Sequence, residues 1–111
     1  MDRELVQRML CKSFGPFGEI HLSYVKMGKI DSLDLFGVTE LIIMAFYWEN
    51  RFRYKRVLDI GANIGLHSIL MDRLKWQVKA FEPDYQHHGW LLGNLQRNSC
   101  THVQPYMAAV H

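Results

Sequence analysis

The sequence predicts an α/β protein built on a parallel sheet. Short β-branched runs alternate with stretches of helical spacing over residues 55–110. A glycine turn joins the first run to its helix, and an acidic residue ends the second run. The length of 111 residues, with 49% hydrophobic and 22% charged residues, fits one domain or part of a larger one that can build a core. The chain divides into an aromatic-rich segment, 1–54, and the regular α/β segment, 55–111.

In the first segment, Phe14-Gly15-Pro16-Phe17-Gly18 is turn material. Glu19 to Lys26 alternates loosely, and a strand or hairpin with its turn near Gly28 follows. From Val38 the period changes. Val38, Leu41, Ile42, Ala45, Trp48 and Phe52 recur at three-and-four spacing, which predicts an amphipathic helix of about four turns with these residues inward. Thr39 and Glu40 begin it, and Arg51, Arg53 and Lys55 suit its negative end.

In the second segment, Arg56 to Ile60 is a strand. Leu66, Ile69, Leu70 and Leu74 mark a helix. Val78 to Glu82 is a second strand, stopped by Pro83-Asp84. Tyr85 to Asn98 is helical, with Leu91, Leu92 and Leu95 inward; Gly89 and Gly93 each weaken it by roughly 1 kcal/mol relative to Ala. Val103 to Val110 is a third strand. Pro105 cannot donate to a ladder, so this strand belongs at a sheet edge. The order β-α-β-α-β implies parallel pairing with right-handed crossovers.

Charge and composition exclude several classes. Thirteen Lys and Arg against eleven Asp and Glu leave +2, no basis for nucleic-acid or anionic-membrane binding. The longest apolar run, Leu41 to Trp48, is eight residues where a membrane span needs roughly 20. Charges at Asp2, Arg3 and Glu4 do not suit a signal peptide. Two cysteines without CxxC, Cys11 and Cys100, exclude a disulfide framework and read as small hydrophobes. A reducing, cytoplasmic compartment is expected. No histidine pair has His-x-x-x-His spacing, so no metal site is expected. Phe46, Tyr47, Trp48, Phe52 and Tyr54 read as core, with a partner surface as the alternative.

The chemistry is expected in Asp59-Ile60-Gly61-Ala62-Asn63-Ile64-Gly65. Gly61 and Gly65 permit a tight turn and close backbone approach to a ligand at the start of the next helix. Glu82 ends the neighbouring strand, where a carboxylate can accept hydrogen bonds from a ribose diol. The spacing is not G-x-G-x-x-G, and Asp59 beside the turn would repel a pyrophosphate. A cofactor with a cationic amine, S-adenosylmethionine (SAM), fits better than NAD.

DIGANIGLHSIL, VKAFEPD, NLQRN and the final AAV also resemble the FkbM-type branch of the class I SAM-dependent methyltransferases, over about residues 55–110. The resemblance implies a Rossmann-like parallel sheet. It implies a cofactor site lined by Asp59, Gly61, Ala62, Asn63 and Gly65, with Glu82 on the ribose, Pro83 near the adenine, and His67 and Ser68 near the carboxylate end. Members of that family order seven strands 3-2-1-4-5-7-6. This sequence carries three, so the sheet is expected to be truncated after the third. Three explanations stand: a fragment, a completing chain or second copy, or N-terminal strands from 19–30 covering the exposed edge. The implied activity is methyl transfer, to oxygen of a small molecule or glycan. A non-catalytic SAM-binding module and an NAD-binding oxidoreductase are the alternatives. No catalytic residue is assigned.

Overall fold

The computed structural model describes residues 9–27, 30–31 and 37–110. The charged start at 1–4, the turn at Gly28 and the last histidine, His111, lie outside them. Two hairpins precede the α/β part. Strand β1, Met9–Ser13, pairs antiparallel with β2, Glu19–Ser23, with Leu10 opposite Leu22 and Cys11 opposite His21. The turn between them closes through Phe14 N–H to the Gly18 carbonyl at 2.9 Å, around a single 3₁₀ turn at Gly15–Phe17. The two-residue strands β3, Lys26–Met27, and β4, Ile30–Asp31, form the second hairpin and flank position 28 as expected.

Helix α1 spans Val38–Glu49. Strand β5, Arg56–Ile60, leads into helix α2, Leu66–Arg73. Strand β6, Gln77–Phe81, leads into helix α3, Tyr85–Arg97, and strand β7 is Val103–Tyr106. These three strands form one parallel sheet in the order β5-β6-β7. The α/β expectation therefore holds, and the proline-bearing strand lies at an edge. That strand is shorter than expected, ending at Tyr106.

The core lies between one face of this sheet, helices α2 and α3, and the N-terminal elements. Ile20, Leu22, Ile64, Ile69, Leu70, Ala80 and Leu91 are fully buried in one cluster that also contains Phe17, Val25 and Met44. Residues from both sequence segments thus share a core. Alternation fixes the hairpin's register: Ile20 and Leu22 point in, and Glu19 and His21 point out or halfway.

Two polar side chains lock the hairpin to α3. Asn94 is fully buried. Its Oδ1 accepts from Ser23 N–H at 3.0 Å, and its Nδ2 donates to the Ile64 carbonyl at 2.8 Å. Asn98, at the α3 C-cap, accepts from His21 N–H at 2.8 Å and donates to the His21 carbonyl at 2.7 Å. A strand edge that would be unsatisfied is paired with side-chain amides instead of another strand.

Several expectations need correction. Helix α1 buries Met44, with Tyr47 and Trp48 half-buried, while Val38, Leu41, Ile42, Ala45 and Phe52 are exposed. The helix is apolar around most of its circumference, so spacing could not identify the inward face. Aromatic pairing decides it: Trp48 packs edge-on against Phe17, and Tyr47 against Trp76 and His67. Phe46, Phe52 and Tyr54 are exposed and not core. Leu92 is also exposed; Asn94 takes the inward position expected of it. Cys11 is exposed, whereas Cys100 packs against the core. Among the described residues, the N-terminal strands pair with one another and meet α3 through Asn94 and Asn98, and none pairs with β5.

Candidate functional site

The glycine segment forms a bend folded over the carboxyl end of β6. Gly61 N–H and Ala62 N–H both donate to the Phe81 carbonyl, at 2.9 and 3.0 Å. Gly61, Asn63 and Gly65 all have positive φ, at 72°, 56° and 102°. At Gly65 a second constraint applies: an added Cβ would lie 2.8 Å from Leu91 Cδ1. Glycine there allows both the backbone conformation and the approach of α3. Gly65 is the N-cap of α2, and no side chain caps that helix end.

Glu82 is buried and holds the bend. Its Oε1 accepts from Asn63 N–H at 2.8 Å and its Oε2 from Asp84 N–H at 3.0 Å. The sequence placed this carboxylate on a ligand's ribose; the structure places it on two backbone donors. A carboxylate has about four lone-pair positions, so capacity for a ligand hydroxyl is left. Asp84 in turn caps α3 by accepting from His87 N–H at 2.9 Å.

Asp59 faces the helix side of the sheet. Its Oδ2 accepts from Ser68 Oγ at 2.5 Å. The structure therefore brings Asn63 and Glu82 together, and Asp59 and Ser68 together, while Asp59 and Glu82 share no hydrogen-bond partner among the described residues. Ala62 is buried, and Gly61 and Pro83 are exposed at the mouth of the bend. Asn63 Oδ1 is buried with no hydrogen-bond partner among the described residues. An orphan acceptor on a residue whose own N–H is held by the Glu82 carboxylate suits a donor-rich or cationic ligand.

A second group escaped the sequence reading. Tyr47 Oη lies 2.9 Å from His67 Nδ1, and His67 Nε2 lies 2.7 Å from Glu40 Oε2. The two side chains are within ion-pair distance, and that carboxylate oxygen accepts no hydrogen bond among the described residues. Burial, with Asp59 and then Glu40 adding negative charge nearby, pushes the Tyr47 phenol up to about 12. It stays a neutral donor or acceptor at ordinary pH. The chain of groups runs from α1 to the residue after the glycine bend. Its sequence signal was Glu40 and Tyr47 seven positions apart, two turns along one helix face. It was masked by the apolar residues around them.

Two hollows along the surface lie away from the bend. One covers the bare face of the sheet over Leu58, Lys79 and Gln104; another lies between the first hairpin's turn and Trp48.

No protein-family model matches the chain, and no curated sequence matches it significantly. Solved structures do resemble it. A SAM-dependent methyltransferase from Agrobacterium tumefaciens aligns with a TM-score of 0.71 at 11% identity, over 96% of this chain and 34% of that one. A protein-L-isoaspartate O-methyltransferase aligns with a TM-score of 0.59 at 21% identity, over 98% of this chain and 35% of that one. The fold is that of the SAM-dependent methyltransferases. The chain spans about a third of the length of these neighbours. Among the described residues, no helix is long and apolar enough to cross a membrane.

Proposed function

We propose that the chain binds SAM at the glycine bend and forms the cofactor half of a methyltransferase of the FkbM type. One observation carries the proposal: the partnerless, buried Asn63 Oδ1 sits on a bend flanked by Asp59 and Glu82. An ammonium or hydroxyl donor suits that acceptor, and the pyrophosphate of NAD does not. The shared fold adds support, since both neighbours named above are methyltransferases.

In this reading Gly61, Ala62 and Gly65 give the backbone approach. Asn63 and Asp59 hold the cationic methionine end. Glu82 fixes the bend and keeps lone pairs for the ribose hydroxyls, beside Pro83. When bound, SAM supplies an electrophilic methyl group. This chain's own contribution is placement: Glu82 couples the bend to β6, and Asn94 couples it to α3, so the site is held by two elements at once. The acceptor, an oxygen of a small molecule or glycan, belongs with structure that the neighbours carry beyond the matched third. That structure would meet the free edge of β5, from a longer chain, a second copy or a separate partner.

Calorimetric titration of SAM into the purified protein tests the binding step, with NAD as the competing ligand. Saturable heat with SAM and none with NAD is expected. Asn63→Leu, which replaces the amide with an apolar side chain of the same branching, should weaken SAM by 10-fold or more. Heat with NAD alone, or unchanged affinity in Asn63→Leu, rejects the site.

A further inference from the structure

The outer face of the first hairpin gathers three metal-ligating side chains from its two strands. Cys11 and His21 are directly opposite across the β1–β2 pair, and Glu19 lies two residues before His21 on the same face. Cys11 Sγ is 4.0 Å from His21 Nε2, and His21 Nε2 is 3.9 Å from Glu19 Oε2. All three donor atoms lie within 4.8 Å of one another.

We propose that Cys11, Glu19 and His21 form a binding site for a borderline-soft dication, Zn²⁺, with its fourth position open to water. The site is separate from the glycine bend and does not depend on the cofactor reading. Three lines of chemistry support it. The first is the donor set. One thiolate, one imidazole and one carboxylate are all zinc ligands, and a thiolate with a carboxylate balances the dication's charge. The second is distance. Ligand atoms about 2.0–2.3 Å from a tetrahedral zinc are separated by roughly 3.3–3.8 Å, so the donors need only close by side-chain rotation. The third is the rigidity of the platform. The opposite face of the hairpin carries Ile20 and Leu22, both fully buried, so the strand cannot slip without exposing them. The His21 backbone is clamped on both sides by Asn98, and Arg73 donates to the Glu19 carbonyl at 3.1 Å. Two of the three ligands therefore project from backbone that is already fixed. Binding takes the Cys11 proton to solvent and forms a Zn–S bond; no oxidation is involved. Chain spacing did not reveal this set, because cross-strand opposition, and not His-x-x-x-His, brings it together.

The test uses the purified protein with the metal alone. Zn²⁺ is titrated calorimetrically, and Co²⁺ serves as an absorbing stand-in. The expected result is one site per chain, with a thiolate-to-cobalt charge-transfer band. Cys11→Ser should abolish the band and weaken Zn²⁺ by at least 10-fold, and His21→Ala should weaken it comparably. Glu19→Gln should weaken it less. Cys100→Ser should leave the band intact, since that thiol is half-buried and packed on the core. All four side chains can be changed without opening the fully buried core, and a thermal melt of each variant verifies that it folds. Absence of the band, a band that follows Cys100, or Zn²⁺ affinity unchanged in Cys11→Ser overturns the proposal.

Discussion

The two faces of the parallel sheet differ although the same three strands build both. On the covered face, Val78 and Ala80 are fully buried beneath the helices. On the bare face, β6 presents Gln77, Lys79 and Phe81, while β5 presents Arg56, Leu58 and Ile60, the last two 61% and 59% exposed. The bare face is therefore not uniform. It is polar toward the amino ends of the strands, at Arg56 and Gln77, and apolar toward their carboxyl ends, where Ile60, Phe81 and Tyr106 lie side by side. Apolar side chains at an open edge are what a sheet shows where further structure packs. The methyltransferases that share this fold are about three times longer than the chain. The helix side of the sheet is thus packed, while the β5 edge is open and carries exposed apolar side chains among the described residues.

The sharpest way to break that asymmetry is to open the covered side. Ile69 on α2 is fully buried in the main cluster. Ile69→Ala should cost about 2–5 kcal/mol, from lost transfer energy and the cavity left behind. Denaturant unfolding measures it. A cost under about 1 kcal/mol would mean that the covered face is no better packed than the bare one.

The bend between the faces should rank next. Glu82→Gln keeps the shape but replaces one acceptor oxygen with a donor that cannot serve both Asn63 N–H and Asp84 N–H. Hydrogen bonds to charged groups are worth about 1.5–3 kcal/mol, so a loss in that range is expected. Glu82→Gln should also reduce SAM affinity, because the bend loses its fixed shape.

Tyr47→Phe should cost about 1 kcal/mol through its contact with His67. It carries a pH signature. The folded-state pKa of about 12 exceeds the ordinary 10.0. The fold favours the protonated phenol, so this contribution is complete below pH 10 and is lost as pH rises toward 12. Cys100, pushed to about 12 from 9.0 chiefly by burial and then by the Asp72 charge, acts in the same direction from pH 9. Stability should therefore fall on the alkaline side, less steeply in Tyr47→Phe. An unchanged alkaline slope in that variant would remove Tyr47 from the account.

Much of this was legible in the chain, and the reasons are physical. Residues 55–110 gave strand, bend and helix order because period-2 and period-3.6 patterns alternate cleanly there, and Pro105 marked the edge strand. The bend from Asp59 to Gly65 and the Glu82 carboxylate that holds it were legible because they are local in sequence or one crossover apart. Three features were not legible. Strand β1 paired with β2 through a turn whose glycines were visible, but nothing in residues 9–13 alternates strongly. The inward side of α1 was hidden by apolar residues on every side. Asn94 and Asn98 looked like ordinary polar positions; their work as substitutes for a third hairpin strand exists only once β2 lies against α3. The Cys11–His21–Glu19 set was invisible for the same reason, since only cross-strand register unites it.

The smallest effect on folding should come from the bare edge, and it is the most informative about incompleteness. Leu58 and Ile60 alternate outward on β5 and meet solvent rather than a helix. Replacing either with Lys removes little buried area, so stability should change by no more than about 0.5 kcal/mol. Association should change more. An open β5 edge with an apolar stripe is a template for another strand, and like charges placed along it oppose pairing. The double variant Leu58→Lys, Ile60→Lys should therefore sediment at lower average mass than the native protein at the same concentration, with an unchanged unfolding midpoint. If instead the midpoint falls by several kcal/mol equivalents while the mass stays constant, those side chains are packed within the chain. The bare face would then be a covered one, and the asymmetry between the two faces would not exist.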